Sequence, residues 1–153
     1  MVGTAASSAA RAGTILAFDF GTRRIGVAVG EGAIGLAHPL ATIAGEQNER
    51  RFAAIESLIE EWHPALLVVG LPVHADGTEH ALTVRARRFA KQLEGRFGLT
   101  AKLVDERFTT HAAGAALSDA GVKTRLHKGV RDQVAAQLIL QTYFDQREAD
   151  QGN

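Results

Sequence analysis

The 153-residue sequence predicts an α/β fold, with helices layered on both faces of a mixed five-stranded sheet. Three observations carry this expectation. Close to the N-terminus, three strand-like runs follow one another with only short turns between them, as in an antiparallel meander. The hydrophobic period then changes from two to that of a helix. Beyond the change, two more apolar runs of strand length alternate with helical stripes, the pattern of parallel strands joined by crossover helices.

Taken in order, Thr14–Phe20 (TILAFDF) is an apolar run of strand length, and Gly21-Thr22 turns the chain. Arg24–Val29 (RIGVAV) resumes in alternation, with Ile25, Val27 and Val29 on one face. Ile34–Ile43 (IGLAHPLATI) reads as a third strand, where Pro39 requires an edge or a bulge. In Gln47–Trp62, residues Phe52, Ile55, Leu58, Ile59 and Trp62 recur at helical spacing until His63-Pro64 ends the helix. Ala65–Leu71 (ALLVVGL) is apolar throughout, as suits a strand covered on both faces. Asp76-Gly77-Thr78 is read as a turn with a helix N-cap. The helix that follows carries the stripe Leu82, Ala86, Phe89, Leu93, Phe97 and closes at Gly98. Ala101–Val104 is the fifth strand, and Thr109 or Thr110 caps a short Ala-rich helix to Asp119. A loop, Ala120–Gly129, leads to a last helix from about Val130 to Gln146. The domain is thus expected over 14–147, between a polar tail at 1–13, which lacks the apolar core of a signal peptide, and a second tail at 148–153.

Composition excludes several classes. At 46% hydrophobic and 22% charged residues, the chain has the make-up of one globular domain. With no cysteine there is no disulfide scaffold, thiolate metal site or cysteine nucleophile, which is compatible with a cytoplasmic setting. No apolar run approaches the ~18 residues of a membrane span. Net charge is zero but unevenly spread: residues 81–131 hold eleven basic and four acidic residues, and the remainder six and thirteen. Such a half favours a polyanion locally, unless its charges are ordinary solvated helix faces.

Three acids stand out. Asp19 lies near the carboxyl end of the first strand between Phe18 and Phe20, where a charge is costly without compensation. Asp105-Glu106 ends the fifth strand in the same way. Open α/β sheets gather ligands beyond the carboxyl ends of their parallel strands, so these acids and Gly70-Leu71-Pro72 are expected at one edge. Asp132, read as part of the last helix's first turn, shares a helical face with Ala135, Ala136 and Ile139, which directs it toward the sheet. Each acid has a plainer reading: Asp19 as a turn-former for Gly21-Thr22, Asp105 as a partner of Arg107, Asp132 as a charge favoured by a helix N-terminus. Two carboxylates ~4 Å apart repel by about 4 kcal/mol at an effective dielectric of 20, so a cluster of three calls for a cation. Oxygen-only ligation selects Mg²⁺ or Mn²⁺, two such ions being the set that activates water against a phosphodiester. The six histidines are scattered and suggest no metal site.

These motifs resemble the YqgF/RuvX family, the Holliday-junction resolvase or pre-16S ribosomal RNA nuclease group with an RNase H-like fold. The matching pieces are Asp19-Phe20-Gly21-Thr22-Arg23-Arg24-Ile25-Gly26-Val27-Ala28, Gly70-Leu71-Pro72 with Asp76-Gly77-Thr78, Asp105-Glu106-Arg107-Phe108-Thr109-Thr110, and Lys128–Asp132 leading into Ala135-Ala136 and Leu138-Ile139-Leu140-Gln141. They recur in order over roughly 14–145. The resemblance implies Asp19, Glu106 and Asp132 as the metal-binding catalytic acids, Asp105 being the substitute for Glu106. It implies hydrolysis of structured nucleic acid: maturation of the 5′ end of pre-16S rRNA, or alternatively resolution of a DNA junction. Arg131 stands where the family usually has an apolar residue, and Gly129 thins a stretch that is often more basic. Arg24, Thr78, Arg107, Lys123, Arg125, Lys128 and Arg131 are the expected nucleic-acid contacts, mostly to the backbone. For Arg24 a surface salt bridge is the competing reading. The chain is expected to act as a monomer or weak homodimer, since resolving a four-way junction favours a two-fold dimer and maturing one RNA end does not.

Two other classes are weighed. Asp19-Phe20-Gly21-Thr22 also resembles the phosphate-binding first turn of the actin, Hsp70 and sugar-kinase ATPases, but that machinery closes two domains around a nucleotide and this length supplies one. No Walker-type Gly-Lys-Ser/Thr loop is present. A non-catalytic RNA-binding module of the same fold would use the basic segment without needing the three acids.

Overall fold

A computed structural model describes residues 12–107 and 128–151. Five strands, β1 (Thr14–Phe20), β2 (Arg24–Glu31), β3 (Leu36–Ala44), β4 (Leu66–Leu71) and β5 (Ala101–Asp105), form one sheet in the order β3-β2-β1-β4-β5. The three helices among the described residues are α1 (Asn48–Trp62), α2 (Ala81–Phe97) and α3 (Lys128–Gln151). Short turns make β1-β2 and β2-β3 antiparallel, while α1 and α2 cross over to make β1-β4 and β4-β5 parallel. Strand β1 is central, which is why its apolar run carries no alternation.

Side-chain parity divides the molecule into two cores. Leu16 and Phe18 of β1, with Ile25, Val27, Leu67 and Val69, face α1 and α2 through Phe52, Ile55, Phe89 and Leu93. Ile15 and Ala17, with Ala28, Leu66, Val68 and Val104, face α3 through Ala136, Ile139, Leu140 and Phe144. Fully burying side chains of this size stabilises the fold by roughly 1.5–3 kcal/mol each. Asp19 continues the odd-numbered face, and so it looks toward α3.

Both consequences expected of Pro39 are present. Strand β3 is an edge, and its pairing jumps from Val27↔Ala41 to Ala28↔Pro39, leaving Leu40 as the bulged residue. Helix α3 is tied to that edge by glutamines one turn apart. Gln141 accepts from Ala37 N–H at 3.1 Å and donates to Gly35 O, and Gln137 donates to Ala37 O. Gln133 donates to Thr42 Oγ1.

Three expectations are corrected. Thr78 does not cap α2, which begins at Ala81: the His80 N–H donates to Thr83 Oγ1, and the Thr83 hydroxyl donates to Pro72 O. Asp132 lies one turn inside α3, because the helix already begins at Lys128, so the helix terminus holds it less than expected. Helix α3 also runs five residues past Gln146, through part of the stretch read as a tail, because the Arg147 guanidinium donates to Gly32 O at 2.8 Å and covers Phe144. The expected helix to Asp119 and most of the Ala120–Gly129 loop lie outside the described residues. Among those described, no helix is long and apolar enough to cross a membrane.

Candidate active site

Asp19 pairs across β1-β2 with Gly26, and one step beyond the Phe18↔Val69 pair its other neighbour is Gly70. Carboxylate-bearing elements fill the space these glycines leave. A Cβ on Gly26 would stand 1.9 Å from the backbone oxygen of Asp132, so only glycine lets α3 lie this low beside Asp19. A Cβ on Gly70 would meet Ile139 Cδ1 at 2.4 Å and Glu106 Cγ and Cδ at 3.1 Å. Gly30 continues the channel, admitting the Phe144 ring where a Cβ would come within 2.9 Å of it. Small residues at alternate positions of β2, Gly26, Ala28 and Gly30, are thus the signal in the sequence for this close approach.

The choice between Asp105 and Glu106 follows from parity. Val104 belongs to the α3-facing core, and Glu106 emerges on that same side, over Gly70. Its N–H still donates to Leu71 O at 3.0 Å, which fixes the turn. Asp105 instead accepts from Arg107 N–H at 2.8 Å and from the Arg107 guanidinium at 2.7 Å. The plainer reading is therefore correct for Asp105.

Asp132 accepts from Arg24 Nε at 2.6 Å, closing an ion pair between residues 108 positions apart. The Arg24 side chain is 37% exposed and that of Asp132 18%, so the pair lies at the rim of the site. This is the competing salt-bridge reading of Arg24, with an acid of the site itself as the partner.

Burial pushes the Asp19 carboxyl up to about 8, assisted by the negative charges of Glu106 and Asp132. Burial also pushes Glu106 up to about 7, opposed by its hydrogen bond with Asp19 and assisted by the charge of Asp105. The two directions describe one arrangement: Asp19 keeps a proton and donates it to the Glu106 carboxylate. The hydrogen bond of the Asp19 carboxyl goes to Glu106 and not to the turn, whose Gly21 and Thr22 carbonyls accept from Arg51, a buried residue of α1 that no sequence pattern singles out.

Among the described residues no three acidic or histidine side chains stand close enough to hold a metal ion as they lie. Asp19 is hydrogen-bonded to Glu106, while Asp132 is paired with Arg24. The donor set itself is all carboxylate oxygen, which suits a hard divalent cation. Such an ion would replace the proton and Arg24, both of which are cationic stand-ins.

The other expected contacts are dispersed. Thr78 N–H and Oγ1 both donate to Asp76 Oδ1, at 2.9 and 2.7 Å. Arg107 lies against Gly77, where a Cβ would come within 2.9 Å of its guanidinium. Arg131 is exposed, one residue before Asp132. Lys128 opens α3, whereas Lys123 and Arg125 lie outside the described residues.

A family model described as RuvX, Holliday junction resolvase, matches residues 13–146. A protein of Nitrosospira multiformis named "Putative pre-16S rRNA nuclease" is 58% identical over 94% of this chain and 95% of its own. A protein of the same name from Chromobacterium violaceum is 58% identical over 86% of this chain and 96% of its own. Among solved structures, T. thermophilus RuvC in complex with a Holliday junction substrate superimposes with a TM-score of 0.53 at 15% identity, covering 89% of this chain and 96% of that one. That likeness is one of fold, and it agrees with the RNase H-like arrangement.

Proposed function

The chain belongs to the RuvX family, and from that premise we propose that it is a metal-dependent endonuclease whose catalytic acids are Asp19, Glu106 and Asp132. One observation carries the reading: Gly26 and Gly70 flank Asp19 and make room for Asp132 and Glu106, so three elements present carboxylates to one sheet edge. A purely structural role gives no reason to gather acids where burial holds a proton on Asp19 near neutral pH.

In this mechanism Asp19, Glu106 and Asp132 would hold the metal, Asp19 giving up its proton when it does so. When bound, Mg²⁺ or Mn²⁺ ions supply water activation and stabilise the leaving oxygen. Arg24, released from Asp132, turns its charge to the phosphate. Exposed Arg131 and the Lys123, Arg125 and Lys128 side chains grip the backbone, with Arg107 and Thr78 as further contacts.

The substrate we propose is structured RNA at the 5′ end of pre-16S rRNA, as the names of the relatives suggest. The family description supports a second reading, a four-way DNA junction. Purified protein with Mg²⁺ or Mn²⁺ is expected to cut a pre-16S leader transcript, and Asp19→Asn to abolish the cut. Preferential cutting of a four-way junction, with a dimer forming on it, would favour the second reading. RNA binding with no metal-dependent cleavage would support the non-catalytic module.

A further inference from the structure

On the sheet face opposite the acids, α1 and α2 enclose a cleft of about 100 Å³ floored by Phe20. Arg51, Arg85 and Arg88 line it, with Asn48 and Gln92 between them. Arg51 is 3% exposed, and its guanidinium lies 5.1 Å from the Phe20 ring centroid while that of Arg85 lies 6.0 Å from the same ring. Among the described residues none of the three arginines makes a salt bridge. Burial, and then the charge of Arg85, weaken Arg51's hold on its proton, while Glu46 acts in the opposite sense. At Arg51 the charge of Arg85 outweighs that of Glu46, and an anion between the cations removes the repulsion.

We propose that this cleft holds a phosphate of the nucleic-acid backbone, at a position separate from the phosphate that is cut. Its guanidinium and amide lining offers several N–H donors to the oxygens of one phosphate group. A backbone suits the surroundings better than a free ion. Beside the cleft, Arg88, Lys91 and Gln92 line a shallow surface along α2, so the positive charge continues as a track. The cleft also adjoins the acids through the chain: Phe20 follows Asp19, and Arg51 holds the two carbonyls of the turn after it. A strand gripped here would be held next to the β1-β2 turn from which Asp19 and Arg24 project.

This inference rests on the nucleic-acid reading above, and binding rather than cleavage tests it. In the full chain carrying Asp19→Asn, with EDTA, anisotropy of a labelled structured RNA is followed from 50 to 200 mM salt. Adding Arg85→Gln and Arg88→Gln, both exposed positions, should weaken binding about tenfold and flatten the salt dependence by roughly one to two phosphate contacts. Arg50→Gln, exposed on the same helix as Arg51 but outside the cleft, should stay within about twofold. Unchanged RNA affinity in the double variant overturns the proposal, and competition by inorganic phosphate alongside that result assigns the cleft to a free anion. Melting temperatures confirm that each variant folds. Metal-dependent cleavage that survives Asp19→Asn would sink the assignment of Asp19 as a catalytic acid, while the binding result still decides the cleft.

Discussion

Arg24 Nε and Asp132 Oδ2 lie 2.6 Å apart, joining the first residue of β2 to the second turn of α3. The arginine thereby gives one of the three acids its counter-charge. Replacing it with glutamine should destabilise the metal-free protein by about 1 kcal/mol, a drop of roughly 2–4 °C in melting temperature, the pair being partly exposed. Mg²⁺ should restore more stability to Arg24→Gln than to the parent chain, since the ion then meets three uncompensated carboxylates. Melting curves with and without Mg²⁺ check both expectations.

The shared proton predicts an unusual pH dependence. Asp19 and Glu106 carry raised pKa values, from 3.8 to about 8 and from 4.5 to about 7. Between those limits the native state retains a proton that the unfolded chain has released, so stability falls as pH rises. The metal-free protein should therefore melt at a lower temperature at pH 8.5 than at pH 5. Asp19→Asn should remove most of that slope, and Mg²⁺ should oppose it by taking the proton's place. Differential scanning calorimetry across this range provides the measurement.

The glycines beside Asp19 make a graded prediction. Gly26→Ala drives a methyl against the Asp132 backbone, which cannot rotate away, and should cost about 1–3 kcal/mol as well as activity. Gly70→Ala meets the movable end of Ile139 and then Glu106, so its activity loss should exceed its stability loss. Gly95→Ala, in the interior of α2 with nothing within 4 Å, should stabilise by roughly 0.5–1 kcal/mol. Chemical denaturation and cleavage rates on the three variants separate these effects.

Adjacent acids should behave oppositely. Asp105→Asn loses a pairing with Arg107 and should change the cleavage rate by less than about threefold, whereas Glu106→Gln should reduce it by about 10² or more. Single-turnover rates under saturating Mg²⁺ provide the comparison.

What the sequence made legible was mostly periodic or covalent. The strand-length apolar runs placed Asp19 and Asp105-Glu106 at the carboxyl ends of parallel strands, Pro39 announced the bulged edge, and His63-Pro64 marked the end of α1, where His63 adopts a left-handed conformation. What it concealed depended on distant partners. Arg51 looks like a solvated residue in the opening turn of a helix, and only the Gly21 and Thr22 carbonyls explain its burial. Thr78 has the chemistry of a cap, but Asp76 already takes both its donors, and Thr83, tied to Pro72, sets the start of α2. The pairing of Arg24 with Asp132 could not be chosen over a phosphate contact from spacing alone.

The central claim is that residues 19, 106 and 132, drawn from three elements, form one divalent-ion site. Calorimetric titration of Mn²⁺ into the parent chain and into Asp19→Asn, Glu106→Gln and Asp132→Asn tests it most directly. Binding to the parent chain, weakened at least about tenfold in every variant, is the predicted result. Parent-like Mn²⁺ affinity in the Glu106 or Asp132 variant, with the fold intact, would contradict it.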